Sequence, residues 1–294
     1  MDIRNLTGSV VALVTPFSAD GSVDFDSLGR LIDFHLANKT DAILVLGTTG
    51  ESATMTHEED DEVCRFAVER VAGRVPVIAG SGSNSTQTMV EKSLSFQALG
   101  VDGLLLISPY YNKANEEGMY LHFAAVADAV DIPCILYNVP GRTGCSIPES
   151  VVARLAKHPN IMGIKEASGN IGYAARVARL LSDDFVMFCG NDDMVVPYMA
   201  LGARGVISVW ANVMPEQHEM CAAFEDGRID EARAIQLAGL DVVAGLFAEV
   251  NPIPVKAALE MMGMGEAHYR LPLCPMGDAA REKLAAAMKE AGLL

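Results

Sequence analysis

Eight short apolar runs punctuate the chain, each followed by a polar or glycine-rich break and then a stretch with helical spacing. They are Ser9–Val14, Ala42–Leu46, Pro76–Ala79, Gly103–Ile107, Cys134–Tyr137, Ile161–Ile164, Phe185–Cys189 and Gly205–Val209. Successive starts lie about 20 to 35 residues apart, the length of a βα unit whose strands must run parallel. The runs are almost continuously apolar rather than alternating, as in strands covered on both faces. Eight such units predict an α/β fold, a (β/α)8 TIM barrel. A doubly wound sheet is the structural competitor, but no Gly-x-Gly-x-x-Gly follows the first run, which removes its commonest ligand signature. Past Ala223 no convincing strand remains. The expected division is a catalytic barrel over residues 1–223 and a small helical C-terminal domain over 224–294. That domain, with a helical stretch from Leu237 to Val250, is expected to break at Asn251-Pro252-Ile253-Pro254 and near Leu271-Pro272, to pack against the barrel and to help assembly.

Composition narrows the function classes. With 294 residues, 50% of them hydrophobic, the chain can bury a large core. A formal net charge of −16, with an acidic run from Glu58 to Glu62, argues against nucleic acid and anionic membrane surfaces as partners. An anionic substrate would then need a few local cations to hold it. The six cysteines are scattered, with no Cys-x-x-Cys pair, and read as small thiols in a reduced chain. The charged N-terminus carries no apolar segment of a secretory signal, and Leu237 to Val250 is too short and too interrupted to span a bilayer. A cytoplasmic location is therefore expected. The six histidines show no ligand spacing with one another or with cysteine, and Asp192 and Asp193 stand too isolated for a magnesium site, so no metal is expected.

Barrel enzymes carry their chemistry at the C-terminal ends of the strands, and nearly every run here delivers a hydroxyl, a glycine or a charge to that rim. The sixth run, Ile161-Met162-Gly163-Ile164, closes in Lys165. An ordinary lysine has a pKa near ~10.4 and is a poor nucleophile at neutral pH. Desolvation at a barrel mouth lowers that value and frees the amine to attack a carbonyl as a Schiff base; the plainer alternative is a strand-capping lysine that reaches for water. Gly47-Thr48-Thr49-Gly50 offers backbone N–H groups and two hydroxyls to a carboxylate or phosphate, or else forms a tight turn with satisfied threonines. No Gly-Lys-Ser/Thr follows, which excludes a P-loop. Tyr137 ends the fifth run, where a phenol paired with a hydroxyl such as Thr48 can relay protons. Arg142, in a loop bounded by proline and glycine, can clamp a carboxylate in two-pronged fashion. Glu51 and Glu166 neighbour residues with clearer roles and read as loop-orienting groups. Gly80 to Asn84 reads as a structural turn.

Four motifs taken together carry a resemblance: Gly47-Thr48-Thr49-Gly50-Glu51-Ser52, Pro109-Tyr110-Tyr111-Asn112, Tyr137-Asn138-Val139-Pro140-x-Arg142-Thr143-Gly144 and Gly163-Ile164-Lys165-Glu166. With Asn251-Pro252-Ile253-Pro254-Val255-Lys256 and the Ala291 to Leu294 end, the whole chain resembles the dihydrodipicolinate synthases, of the superfamily of pyruvate-type Schiff-base aldolases that includes N-acetylneuraminate lyase. Thr48, where the sialic acid lyases typically carry serine, and Arg142, which they lack, favour the synthase branch. The resemblance implies that Lys165 forms a Schiff base with pyruvate and that Thr48 and Thr49 hold its carboxylate. It implies that Tyr137 relays protons through Thr48 and Tyr111, that Arg142 holds the carboxylate of L-aspartate-4-semialdehyde, and that Gly190 and Ile207 complete the substrate site. It implies no added cofactor. Tyr111 would reach the neighbouring subunit's site, in a homotetramer built as a dimer of dimers. Ser52, Ala53, His57, Asp60, Asn84, Thr88 and Tyr110 correspond to a cleft in which regulated relatives bind L-lysine. Thr88 replaces a glutamate there and Asp60 a histidine, which implies weak or absent inhibition. The competing readings are a same-fold lyase for 2-keto-3-deoxy sugar acids or sialic acid, and a barrel that binds a keto acid without turning it over.

Overall fold

The computed structural model describes residues 1–294. Its centre is a closed barrel of eight parallel strands in sequence order: β1 (Gly8–Ala12), β2 (Ala42–Val45), β3 (Val77–Gly80), β4 (Gly103–Ile107), β5 (Cys134–Asn138), β6 (Ile161–Glu166), β7 (Val186–Cys189) and β8 (Gly205–Ser208). Closure comes from β1, which pairs with both β2 and β8. The absence of a polar alternation in the sequence has a direct cause. Successive strand residues enter two different apolar cores. Val10, Ala12, Leu44, Ile78, Leu105, Ile135, Tyr137, Phe188 and Ile207 belong to one cluster. Val11, Ile43, Val45, Ala79, Leu104, Leu136, Ile164 and Met187 belong to a second, larger one that reaches out to the surrounding helices.

Strand ends depart from the apolar runs in informative places. β6 continues two residues past Ile164, with Tyr137 paired to Lys165 and Asn138 to Glu166. A ladder is made by backbone groups, so polar side chains do not end it. A cross-strand hydrogen bond from Asn138 Nδ2 to Glu166 Oε2, at 2.6 Å, fixes that register. β1 ends earlier than its run. The N–H of Val14 turns to the side-chain carbonyl of Asn212, at 3.2 Å, instead of to a neighbouring strand.

After β8 the chain is helical, through Gln217–Glu225, Ile229–Ala238, Leu240–Leu246, Ile253–Met261 and Asp278–Glu290. The boundary expected after Ala223 falls inside the first of these helices. The helical stretch expected from Leu237 to Val250 is interrupted at Gly239, where a Cβ would lie 2.0 Å from the Trp210 ring. The buried indole fills that space, and a new helix starts at Leu240. The expected break over Asn251 to Pro254 is in fact a helix start: Pro252 caps the helix and Pro254 lies in its first turn, where a missing N–H costs nothing. No helix is long and apolar enough to cross a membrane. All six cysteines are free, and only Cys274 is exposed.

Candidate active site

Lys165 stands at the top of β6 with 5% of its surface exposed. Burial pulls its pKa down to about 8; the Arg142 charge adds to the fall, while Asp192 opposes it. Its Nζ lies 4.5 Å from the centroid of the Tyr137 ring on the neighbouring strand. Burial pushes the Tyr137 phenol upward, and the Arg142 charge and the Thr48 hydroxyl pull it back toward the phenolate. Lys165, Tyr137, Thr48, Thr49, Arg142 and Gly190 line a single cavity of about 100 Å³. An amine close to neutrality, a phenol, two hydroxyls and a guanidinium in one small space suit condensation on the carbonyl of a small carboxylic acid.

Local structure explains each placement. Gly47 precedes a one-turn helix over Thr48–Gly50, and Glu51 follows in the left-handed region at φ 56°. The Gly50 carbonyl accepts from Thr15 Oγ1 at 2.7 Å, fixing the turn to the segment that follows β1. Asn251 Nδ2 donates to Thr49 Oγ1 at 2.9 Å. Because that oxygen accepts, the Thr49 hydroxyl proton is left for another acceptor. Arg142 sits in the short helix Pro140–Thr143, closed by Gly144 in the left-handed region. Its Nη2 donates to the Asn251 carbonyl at 3.1 Å. Gly190 is required sterically, since a Cβ there would come within 2.9 Å of Lys165 Cε and 2.6 Å of Ala167 Cβ. Ile207 has its side chain in the core and lines neither this cavity nor its neighbour. Tyr111 also lies outside both cavities of its own chain. It is 91% exposed, with its backbone in the left-handed region at φ 71°.

A neighbouring cavity of about 400 Å³ shares Thr48, Tyr137 and Arg142, and brings together Ser52, Ala53, His57, Asp60, Thr88 and Tyr110. Asn84 does not line it; its carbonyl accepts from Asn112 Nδ2 at 2.9 Å. Gly80, Gly82 and Ser83, from a segment read as a structural turn, do line it. Lys92, which no motif singles out, places its ammonium 2.7 Å from Asp60 Oδ2 and 3.0 Å from Ser52 Oγ. Sequence reasoning also missed Asn191, Phe247 and Asn251 as cavity residues. The last two come from the C-terminal region, which therefore helps to build the cavity as well as packing on the barrel. The one signal for Asn251 was its place in a resemblance motif. Its partner Thr49 is 202 residues away, and no spacing rule reaches that far. No three His, Cys, Asp or Glu side chains are grouped to hold a metal ion.

A sequence profile of the Dihydrodipicolinate synthetase family matches residues 5–291. The chain is 50% identical over 288 residues to the 4-hydroxy-tetrahydrodipicolinate synthase of Pelobacter propionicus, covering 98% of this chain and 99% of that one. Among solved structures, a monomeric dihydrodipicolinate synthase variant superposes with a TM-score of 0.97 at 39% identity, over 100% of this chain and 99% of that one. The chloride-inhibited dihydrodipicolinate synthase of Acinetobacter baumannii, complexed with pyruvate, gives 0.96 at 41% identity, over 98% and 100% of the two chains. With the full-length match, half the residues identical and the same barrel, this chain belongs to the dihydrodipicolinate synthetase family.

Proposed function

We propose that this chain condenses pyruvate with L-aspartate-4-semialdehyde to give 4-hydroxy-tetrahydrodipicolinate, through a Schiff base on Lys165. The observation that carries the proposal is the buried Lys165 amine, brought to about 8 in a cavity shared with Tyr137, Thr48, Thr49 and Arg142. The uncharged Nζ attacks the ketone carbon of pyruvate and water leaves, giving an iminium. Loss of a methyl proton converts this to an enamine, whose carbon adds to the aldehyde of the semialdehyde. The amino group of the bound semialdehyde then attacks the imine carbon, closing the ring and expelling Lys165 as the free amine. Tyr137 moves protons to and from the developing imine with Thr48 and Tyr111. Thr48 and Thr49 hold the pyruvate carboxylate, Arg142 holds that of the semialdehyde, and Gly190 borders the reacting carbons, whereas Ile207, outside the cavity, has no part in it. Borohydride reduction in the presence of pyruvate, followed by peptide mass spectrometry, tests the step directly. A pyruvyl adduct on Lys165 is expected; no adduct, or one elsewhere, overturns the mechanism. Faster turnover of 2-keto-3-deoxy sugar acids than of the semialdehyde would overturn the substrate assignment.

Two assembly-dependent features belong to the same proposal. Tyr111 holds an exposed phenol on a left-handed backbone, a conformation costing on the order of 1 kcal/mol or more for a non-glycine residue. Service in a neighbouring subunit's site, within a tetramer built as a dimer of dimers, gives that conformation a use. The cleft around Ser52, His57, Asp60 and Tyr110 responds weakly or not at all to L-lysine, because Thr88 supplies no carboxylate and Lys92 already engages Asp60. An incoming ammonium would have to displace a tethered one. Titration of L-lysine against activity should show little inhibition; strong inhibition at sub-millimolar lysine would refute this.

A further inference from the structure

We infer that Lys256, on the helix Ile253–Met261, is a positioning residue for pyruvate binding that acts through its ion pair with Glu51. The inference rests on assigning the Thr48-Thr49 turn to the pyruvate carboxylate. Glu51 directly follows that turn, yet its side chain does not line the Lys165 cavity. Its Oε1 meets Lys256 Nζ at 2.6 Å, and the two side chains are only 1% and 3% exposed. The ammonium also lies over the rings of Phe17, at 4.3 Å, and Tyr269, at 5.3 Å. Neither charge can relax into water, so the pair has one geometry.

Three ties from the C-terminal region bind this one loop. Asn251 holds the Thr49 hydroxyl, Lys256 holds Glu51, and Arg270 Nη1 donates to the Thr54 carbonyl at 3.0 Å. The central tie sits where the backbone adopts its left-handed conformation, at Glu51. Releasing Glu51 frees the bend that aims the Thr48 and Thr49 donors. Lys256 also has an electrostatic role. Without Lys256 the Glu51 carboxylate behind the turn keeps only the weaker attraction of Arg270, and its charge would repel the substrate carboxylate that the turn is built to hold. A buried ion pair is weak evidence for stability, since apolar residues of similar shape often do as well. Its place directly behind the proposed carboxylate-binding turn points instead to orientation and charge balance.

The test is Lys256→Met, assayed for the Michaelis constants of both substrates, for kcat, for the pyruvate concentration that half-saturates borohydride trapping on Lys165, and for thermal stability. The pyruvate constant and the half-saturating concentration should rise about tenfold or more, as for a misplaced binding group, with a much smaller change in the semialdehyde constant. The double variant Glu51→Gln/Lys256→Met removes the repulsion but not the loss of the tie, and should recover part of the pyruvate affinity. A lower melting temperature with unchanged pyruvate affinity would mean that the pair is merely structural and would overturn the inference. Should the single variant fail to fold, the double variant, which buries no unpaired charge, decides in its place: an unchanged pyruvate constant overturns the inference, and a several-fold rise in that constant supports it. Thr49→Val is measured alongside. If it leaves pyruvate affinity unchanged, the carboxylate assignment of the turn is wrong. If it weakens affinity while the Lys256 variants do not, only the role of Lys256 fails.

Discussion

The Lys165 amine is held in a balance between burial, which drives the proton off, and Asp192, which holds it on. Asp192 is itself buried, with Oδ2 accepting from the N–H groups of Val209 at 3.0 Å and Trp210 at 2.9 Å, while Oδ1 has no partner. Lysine is nucleophilic only when deprotonated, so the rate of adduct formation with pyruvate should climb with pH through about 8 and then level off. Asp192→Asn removes the opposing charge and should move that rise to lower pH; a rise at or above the parental position would contradict the role given to Asp192. The same depression has a signature in stability. Between about 8 and the ordinary lysine value of 10.5 the unfolded chain holds more protons at this residue than the folded one, so its contribution to stability grows with pH across that window. Lys165→Ala and Lys165→Arg should both abolish the adduct, because a guanidinium is never a free nucleophile near neutral pH. Substantial turnover by either would count against the assignment.

At the scale of elements, β6 is the strand that carries Lys165. Gly163 precedes Lys165 by two residues and pairs with Ile135 and Val186. A Cβ at Gly163 would lie 2.4 Å from the Val186 carbonyl, a backbone atom that cannot swing away. Gly163→Ala should therefore push β6 from β7, at a cost of roughly 1–3 kcal/mol. Thermal unfolding should show a loss of several degrees, and adduct formation should slow as Lys165 shifts with its strand. Parental stability and parental adduct rate together would show that the barrel absorbs the extra methyl. The apolar run announced this strand but stopped at Ile164, because apolarity marks hydrophobic side chains and not where the backbone ladder ends; Lys165 and Glu166 are polar yet buried. The polar pair Asn138 and Glu166, hydrogen-bonded across β5 and β6, extends the ladder to carry Lys165 beside Tyr137.

For the whole molecule, the exposed Tyr111 ties the proposed chemistry to assembly. A monomeric variant shares this fold with a TM-score of 0.97, so the barrel by itself does not dictate the oligomer. The exposed Tyr111 supplies a sharper experiment than mass alone. Lys165→Ala and Tyr111→Phe chains, each weakly active or inactive, should regain activity when mixed under conditions that allow subunits to exchange. In hybrids, one site receives both an intact lysine and a neighbour's intact tyrosine. No recovery on mixing, or light scattering that shows a fully active monomer, would place Tyr111 outside the proton relay.

The sequence by itself determined the barrel, because eight apolar runs at βα spacing leave few other ways to bury both faces of every strand. It also singled out the reacting set proposed here. Lys165, Tyr137, Thr48, Thr49 and Arg142 all follow or end such runs, and strand ends in a barrel converge on one rim. Only the tertiary structure decided what lies behind that set. Asn251 on Thr49, Lys256 on Glu51, Lys92 on Asp60 and Asp192 near Lys165 are pairings between segments that chain spacing does not relate. Each depends on which side chains become desolvated together, and desolvation is a property of the packed molecule that no local pattern of residues records.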